Sequence, residues 1–156
     1  MLRPETLLDI VRNFILFDDS DSKTVKVVPR YQQYRAVEQA IARLQHGQPR
    51  RGPGDRDQRG GVIWHTQGSG KSLTMVFLVR KMRTLPTLRR FKVVMVTDRR
   101  DLERQLSLTA KLTGETLRKA RSTNKLKSIL SEDGPDLVFA TIPDIPDVTE
   151  AYGVAS

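Results

Sequence analysis

The stretch His65-Thr66-Gln67-Gly68-Ser69-Gly70-Lys71-Ser72 decides how this chain of 156 residues is read. Before it stand Val62, Ile63 and Trp64, an apolar run that predicts a buried strand; after it, residues 73–83 predict a helix. A Gly-rich turn ending in Lys-Ser between a strand and a helix is the arrangement of a phosphate-binding loop. Gly68 and Gly70 can take positive φ and let backbone N–H groups approach phosphate oxygens, while the helix N-terminus adds partial positive charge. On this reading Thr66, Gln67, Gly68, Ser69 and Gly70 wrap a triphosphate. Lys71 reaches its β and γ phosphates and takes the one catalytic part, and Ser72 sets its hydroxyl on Mg²⁺. The general pattern, G-x-x-x-x-G-K-S/T, has glycine where His65 stands. That imidazole reads as a packing or hydrogen-bonding group, and with His46 the only other histidine no acid–base pair suggests itself.

Outward from the loop, Leu7, Ile10, Val11, Phe14 and Ile15 recur at helical spacing, so residues 5–16 read as an amphipathic helix that packs on another part of the fold, within an N-terminal segment 1–24. Val25 to Val28 is a short β-branched run closed by Pro29. From Gln33 onward, Val37, Ala40, Ile41 and Leu44 mark a second helix stopped by Gly47 and Pro49. Residues 48–60 combine Gly, Pro and alternating charge without an apolar anchor and read as a flexible surface loop. Beyond the phosphate loop, residues 93–96 predict a strand and residues 101–111 a helix, capped by the Asp98-Asp101 pair. A further helix is expected around Leu126, Ile129 and Leu130, ending at Gly134-Pro135, and Leu137-Val138-Phe139-Ala140 predicts a buried strand. Continuous apolar strands alternating with helices give an α/β chain: a parallel sheet covered on both faces, three layers over residues 25–156.

Charge narrows the partners. The chain holds 27 Lys+Arg against 18 Asp+Glu, a net +9. Residues 80–121 alone hold thirteen Lys/Arg and four Asp/Glu, an excess equal to that whole net charge. An anionic partner is expected there, although Arg80, Lys81 and Arg83 read more simply as the solvated face of the helix after the loop. Aromatic residues are too scattered to propose base stacking. With no cysteine there is no disulfide, zinc ribbon or thiol nucleophile, which fits a reducing cytoplasm. Asp9 and Arg12 interrupt the apolar residues near the N-terminus, so neither a signal peptide nor a membrane span is expected.

A second constellation, Arg30-Tyr31-Gln32-Gln33-Tyr34-Arg35-Ala36, opens the helix upstream of the loop. A glutamine carboxamide offers one donor and one acceptor to the N6 and N7 edge of adenine. Paired with a downstream phosphate loop, it indicates adenine preference.

Taken together, Gln33 with Ala36, the H-T-Q-G-S-G-K-S loop, and Val94-Met95-Val96-Thr97-Asp98-Arg99-Arg100-Asp101-Leu102-Glu103-Arg104-Gln105 resemble motifs Q, I and Ia of superfamily 2 helicase-like ATPases of SWI2/SNF2 type. Among these the chain is similar to the motor subunit of type I restriction-modification enzymes, in which a segment like residues 7–17 precedes motif Q and Val-Ile-Trp-His leads into the loop, as Val62-Ile63-Trp64-His65 does here. A family strand ending in Thr-Thr-Ile-Gln has its counterpart in Ala140-Thr141-Ile142-Pro143, with one Thr and the Gln replaced. The resemblance runs from about Leu7 to Ile142. It implies an incomplete RecA-like (P-loop NTPase) domain that binds ATP with Mg²⁺, the nucleotide held by Arg30 and Gln33 besides the loop. It further implies nonspecific backbone contact with double-stranded DNA through Arg99, Arg100 and Thr141, and association with specificity and modification subunits. No D-E-x-H acidic motif follows Ile142, and Asp98 is better explained as a helix cap. The nuclease region and the second motor domain with its arginine finger are not found either. The chain is therefore expected to be a front piece of an ATP-dependent translocase, binding ATP while hydrolysing it negligibly. A truncated remnant or nucleotide-binding module acting by association is the alternative, since unpaired sheet edges favour docking. An unrelated phosphate-loop kinase or GTPase would leave Gln33 and the basic stretch unexplained.

Overall fold

The computed structural model describes residues 3–18, 23–98, 107, 110, 114, 115 and 117–145. They fall into two compact units that divide between Arg89 and Arg90. The first contains α1 (Pro4–Asn13), an antiparallel ribbon of β1 (Leu16–Asp18) and β2 (Val25–Val27), α2 (Tyr31–His46) and α3 (Lys71–Thr84). Asp18 pairs with Val25 across the expected segment boundary at residue 24, so α1 and the ribbon are joined to the helices that follow. Helix α2 packs along α3, and Val37, Ile41, Val76, Phe77, Val79 and Met82 are buried there. Phe14 is fully buried, its ring 5.0 Å from Tyr34 and 5.5 Å from Phe77.

Helix α1 forms where its spacing predicts, but only part of its apolar stripe is enclosed: Phe14 fully, Ile10 and Ile15 by half. Leu7, Leu8 and Val11 are exposed, whereas Asn13 is buried and Asp9 is turned inward to receive the Lys81 ammonium of α3. At 100° per residue Asp9 and Asn13 lie roughly half a turn around the helix from Leu7 and Val11. The reason lies in α3. Lys81 is a buried cation that also pairs with Glu38 at 3.1 Å and lies 5.7 Å from the centre of the Phe14 ring. A buried ammonium must be met by carboxylates. Asp9 meets that need, and Asn13 donates to Asp9 Oδ1 at 2.6 Å. Lys81 and Arg80, expected on a solvated face, are thus fasteners, the first buried and the second half-buried: Arg80 donates to the Ile15 carbonyl at 2.6 Å.

The second unit is a parallel three-stranded sheet in the order β3 (Val93–Thr97), β5 (Leu137–Thr141), β4 (Leu117–Ala120). Val93 is level with Leu137 and Thr97 with Thr141; Leu117 is level with Leu137 and Ala120 with Ala140. All five residues of the central β5 are buried. Helix α4 (Thr123–Ser131), capped by the Ser122 hydroxyl accepting from Lys125 N, lays Leu126 and Ile129 against Ala120, Val138 and Ala140. Strand β4 is absent from the sequence reading. Its Leu-Arg-Lys-Ala carries two cations, and Arg118 is accommodated because Glu132 and Asp136 receive its guanidinium at 2.6 and 3.0 Å.

The chain is α/β, with four α-helices, an antiparallel ribbon and a parallel sheet among the described residues. One expected element is corrected. Residues 61–66 form no strand, and Val62 and Trp64 are 90% and 88% exposed. A three-residue apolar run becomes a strand only when a neighbour hydrogen-bonds at least one of its edges, and no described segment pairs with this one. Asp101 and most of the helix expected over 101–111 lie outside the described residues; Ser107 and Ala110 from it are buried.

Candidate functional site

The phosphate loop is built at the start of α3. Gly68 and Gly70 take φ of +76° and +82°, in the left-handed region where a Cβ is costly. Gly70 is the N-cap of α3, so the turn passes directly into the helix with its first N–H groups at the mouth of the loop. Nothing lies within 4 Å of where a Cβ on Gly68 would stand; the backbone there is open on that side.

Two carbonyls organise the turn. Thr66 O accepts from Ser69 N at 3.2 Å, from Ser69 Oγ at 2.6 Å and from Lys71 Nζ at 2.9 Å. Gly70 O accepts from Thr74 N at 3.1 Å, from Thr74 Oγ1 at 3.3 Å and from Gln33 Nε2 at 3.0 Å. Lys71, the residue assigned to phosphate, is exposed and folded back onto its own loop. Thr66 and Gln67 are exposed, and Ser72 is half-buried on the first turn of α3. Thr74, two residues further on and buried, was not singled out from sequence, since a threonine inside a helix carries no local signal.

Gln33, read from the sequence as an adenine contact, is enclosed beside the loop. It is only 3% exposed. Its Oε1 accepts from Arg30 N at 2.8 Å, while Nε2 donates to Ser69 O at 3.3 Å and to Gly70 O at 3.0 Å. Gln33 N in turn donates to Arg30 O, so Arg30 and Gln33 cap the first turn of α2 reciprocally. The carboxamide thus joins α2 to the phosphate loop. Arg30 is exposed beside it.

The remaining candidates are dispersed. His65 keeps Nδ1 enclosed without a protein partner, and with Tyr31, Arg35, Arg43 and Trp64 it lines a cleft of about 620 Å³ along α2. Thr141, expected on DNA, is 1% exposed and donates its hydroxyl to Asp144 Oδ2 at 2.8 Å. That hydroxyl is turned to its own chain. Arg99 and Arg100 lie outside the described residues. Among the described residues no group of three His, Asp or Glu side chains could hold a metal, and no helix is long and apolar enough to cross a membrane.

Comparison with known proteins decides the family. The SWI2/SNF2 ATPase profile matches residues 32–153, from the turn that carries Gln33, through the loop, to beyond β5. The chain belongs to that family. It is similar to the type I restriction enzyme HindI endonuclease subunit of Haemophilus influenzae, 38% identical over 90% of this chain and 14% of that subunit. The putative MjaIXP and MjaVIIIP endonuclease subunits of Methanocaldococcus jannaschii are 29% and 30% identical, over 91% and 88% of this chain and 13% and 14% of theirs. The chain therefore spans about one-seventh of these relatives. The matched range contains both Gln33 and the loop that it contacts.

Charged groups around both units are paired more than the composition suggests. Arg118 holds Glu132 below the usual carboxylate range, chiefly through their hydrogen bonds. Asp57 is brought down to about 2 by hydrogen bonds from the Arg59 side chain and backbone. Burial, with Glu38 and Asp9 nearby, raises the Tyr34 phenol.

Proposed function

We propose that the chain is the ATP-binding segment of a type I restriction motor, gripping the triphosphate of ATP at residues 66–72. The observation that supports it is the loop itself: two positive-φ glycines lead into the N-terminus of α3, with Lys71 on its first turn and an unobstructed backbone at Gly68. An anion fits such a site because backbone N–H groups and the helix dipole act together. The donor set fits a nucleoside triphosphate with its metal. Lys71 would exchange the Thr66 carbonyl for β and γ phosphate oxygens, and the Ser72 hydroxyl would hold Mg²⁺, which neutralises charge on the phosphates. Binding without turnover is the reading proposed for this segment, whose sequence carries no D-E-x-H motif.

The type I restriction relatives suggest the wider setting: an ATP-driven motor on double-stranded DNA, working with specificity and modification subunits in the cytoplasm. Contact with DNA would rest on the phosphate backbone and therefore weaken steeply with salt. Arg99 and Arg100 remain the proposed residues for it.

Fluorescent-ATP titration with Mg²⁺ tests the core of this reading. Saturable binding by the chain, weakened at least tenfold in Lys71→Ala, is expected. Equal binding by both proteins would remove the loop from the function, and steady DNA-stimulated phosphate release by the chain would contradict binding without turnover.

A further inference from the structure

Resting on the motor reading above, we propose that residues 48–60 and the outward side of α2 form a surface for the phosphate backbone of duplex DNA, additional to Arg99 and Arg100. The arginines there are numerous and their charge is unspent. Residues 34–61 hold six Arg, no Lys and three acids. Glu38 is taken by Lys81 and Asp57 by Arg59, which leaves Asp55 alone against Arg35, Arg43, Arg50, Arg51 and Arg56, all five exposed. Where these guanidinium groups are bonded, the acceptors are neutral. Arg43 donates to Gly60 O at 2.6 Å, Arg50 to Gly52 O at 3.3 Å and Arg51 to Gln48 Oε1 at 3.0 Å. Such bonds place a cation without neutralising it.

Composition puts the charge surplus at residues 80–121, yet the fold uses part of that surplus internally. Lys81 is buried against Asp9 and Glu38, Lys92 pairs with Asp136 at 3.7 Å, and Arg118 pairs with Glu132 and Asp136. Each of those cations would have to leave a carboxylate to serve a phosphate. The five arginines of α2 and the loop would not.

The loop also has a fixed base. Its composition reads as flexible, but Gln58 N donates to Gln48 O at 3.0 Å and Gln48 N to Gln58 Oε1 at 3.4 Å, so the two ends are tied as in an Ω-loop. Gly47 is where the loop folds back onto α2. Its φ of −67° suits any residue, so the glycine answers to space: a Cβ there would lie 2.6 Å from Arg43 O, 2.9 Å from Arg59 N and 2.9 Å from Gln58 C. A closed base presents the guanidinium forks before contact, which lowers the entropy lost in ordering them on phosphate.

A duplex suits this surface better than an unstacked strand. Residues 48–60 contain no aromatic side chain, so the loop offers bases no stacking platform. Arginine forks on phosphate carry no sequence information and need only a regular ladder of anions, which a duplex supplies along its whole length.

The test follows binding of the whole chain to a fluorescent random-sequence DNA duplex across a salt series. Combining Arg50→Gln, Arg51→Gln and Arg56→Gln should weaken binding at least about tenfold near 0.1 M salt, and should flatten the plot of log affinity against log salt by about 2–3, since each phosphate contact contributes about 0.9. Combining Lys119→Gln, Lys125→Gln and Lys127→Gln removes equal charge from the second unit and should weaken binding by less than about threefold. Equal weakening by the two triple variants would overturn the proposal as an effect of net charge, and so would an unchanged slope in the arginine variant. Gly47→Ala keeps every charge but crowds the base of the loop: amides of residues 48–60 should exchange faster and duplex binding should fall about two- to fivefold. Unaltered binding in Gly47→Ala would overturn the fixed presentation, and a single strand held as tightly as the duplex would overturn the choice of partner. Weakening by Arg99→Gln with Arg100→Gln, and none by the arginine triple, would leave the motor reading standing and remove this surface. Absence of duplex binding by the unsubstituted chain at low salt would refute DNA contact by this segment altogether.

Discussion

The phosphate loop and the β3–β5–β4 sheet are held together by opposite means. In the loop, two carbonyls, Thr66 O and Gly70 O, collect donors from Ser69, Lys71, Thr74 and Gln33, and most of the turn is exposed. In the sheet, β5 is buried over its whole length and bonded on both edges, with α4 closing one side of the core. Polar bonds to a single carbonyl can be exchanged for bonds to a ligand at small net cost, because each is worth about 1 kcal/mol. Buried apolar contacts have no such substitute. The loop can therefore re-form around the anion proposed for it, while the sheet stays as it is.

The largest expected effect strikes the sheet. Phe139, 1% exposed at the middle of β5, contributes dispersion and apolar burial with no polar fallback. Phe139→Ala should cost about 3–5 kcal/mol in urea unfolding; a loss under ~1 kcal/mol would show the sheet to be as pliable as the loop. In the loop, Gly70→Ala should destabilise by about 1–2 kcal/mol from its positive φ alone, with a further penalty from overlap with Gln33. In a Gln33→Ala background the overlap disappears and the φ term stays, so a double-mutant cycle should give a coupling; strict additivity would separate the two residues.

The smallest effect lies at the rim of the sheet. Glu132 is held below its ordinary range by Arg118, so the pair stabilises the fold fully above that ordinary range, near pH 4.5 for a free glutamate. The contribution is lost as pH falls through the depressed value in the folded protein. Unfolding midpoints of the chain and of Arg118→Met should therefore converge as pH drops from 6 toward 3. Parallel curves would show the exposed pair to be inert, as many surface pairs are.

Much of this was legible beforehand, for reasons that differ by element. Helices α2 and α4 follow from apolar residues at helical spacing, and strands β3 and β5 from continuous apolar runs that suit a covered parallel sheet. The Gly68 and Gly70 conformations follow from residue type, since positive φ is cheap only for glycine. Strand β4 was hidden because its cations obscure the pattern until Glu132 and Asp136 are seen to receive Arg118. The strand expected at residues 62–64 failed for the complementary reason, as an apolar run lacks meaning without a neighbour to pair with. The docking of α1 by Asp9 and Asn13 was likewise out of reach, since it answers to Lys81, seventy-two residues from Asp9.

The amino-acid order alone determined the family motifs, the phosphate loop and its glycines, because these depend on residues within a few positions of one another and on backbone geometry that travels with residue type. Tertiary structure alone decided what Gln33 touches, which face of α1 is buried and which strands flank β5. Those outcomes depend on partners tens of residues away, and a hydrogen-bonding side chain takes its role from whichever donors and acceptors the fold brings beside it.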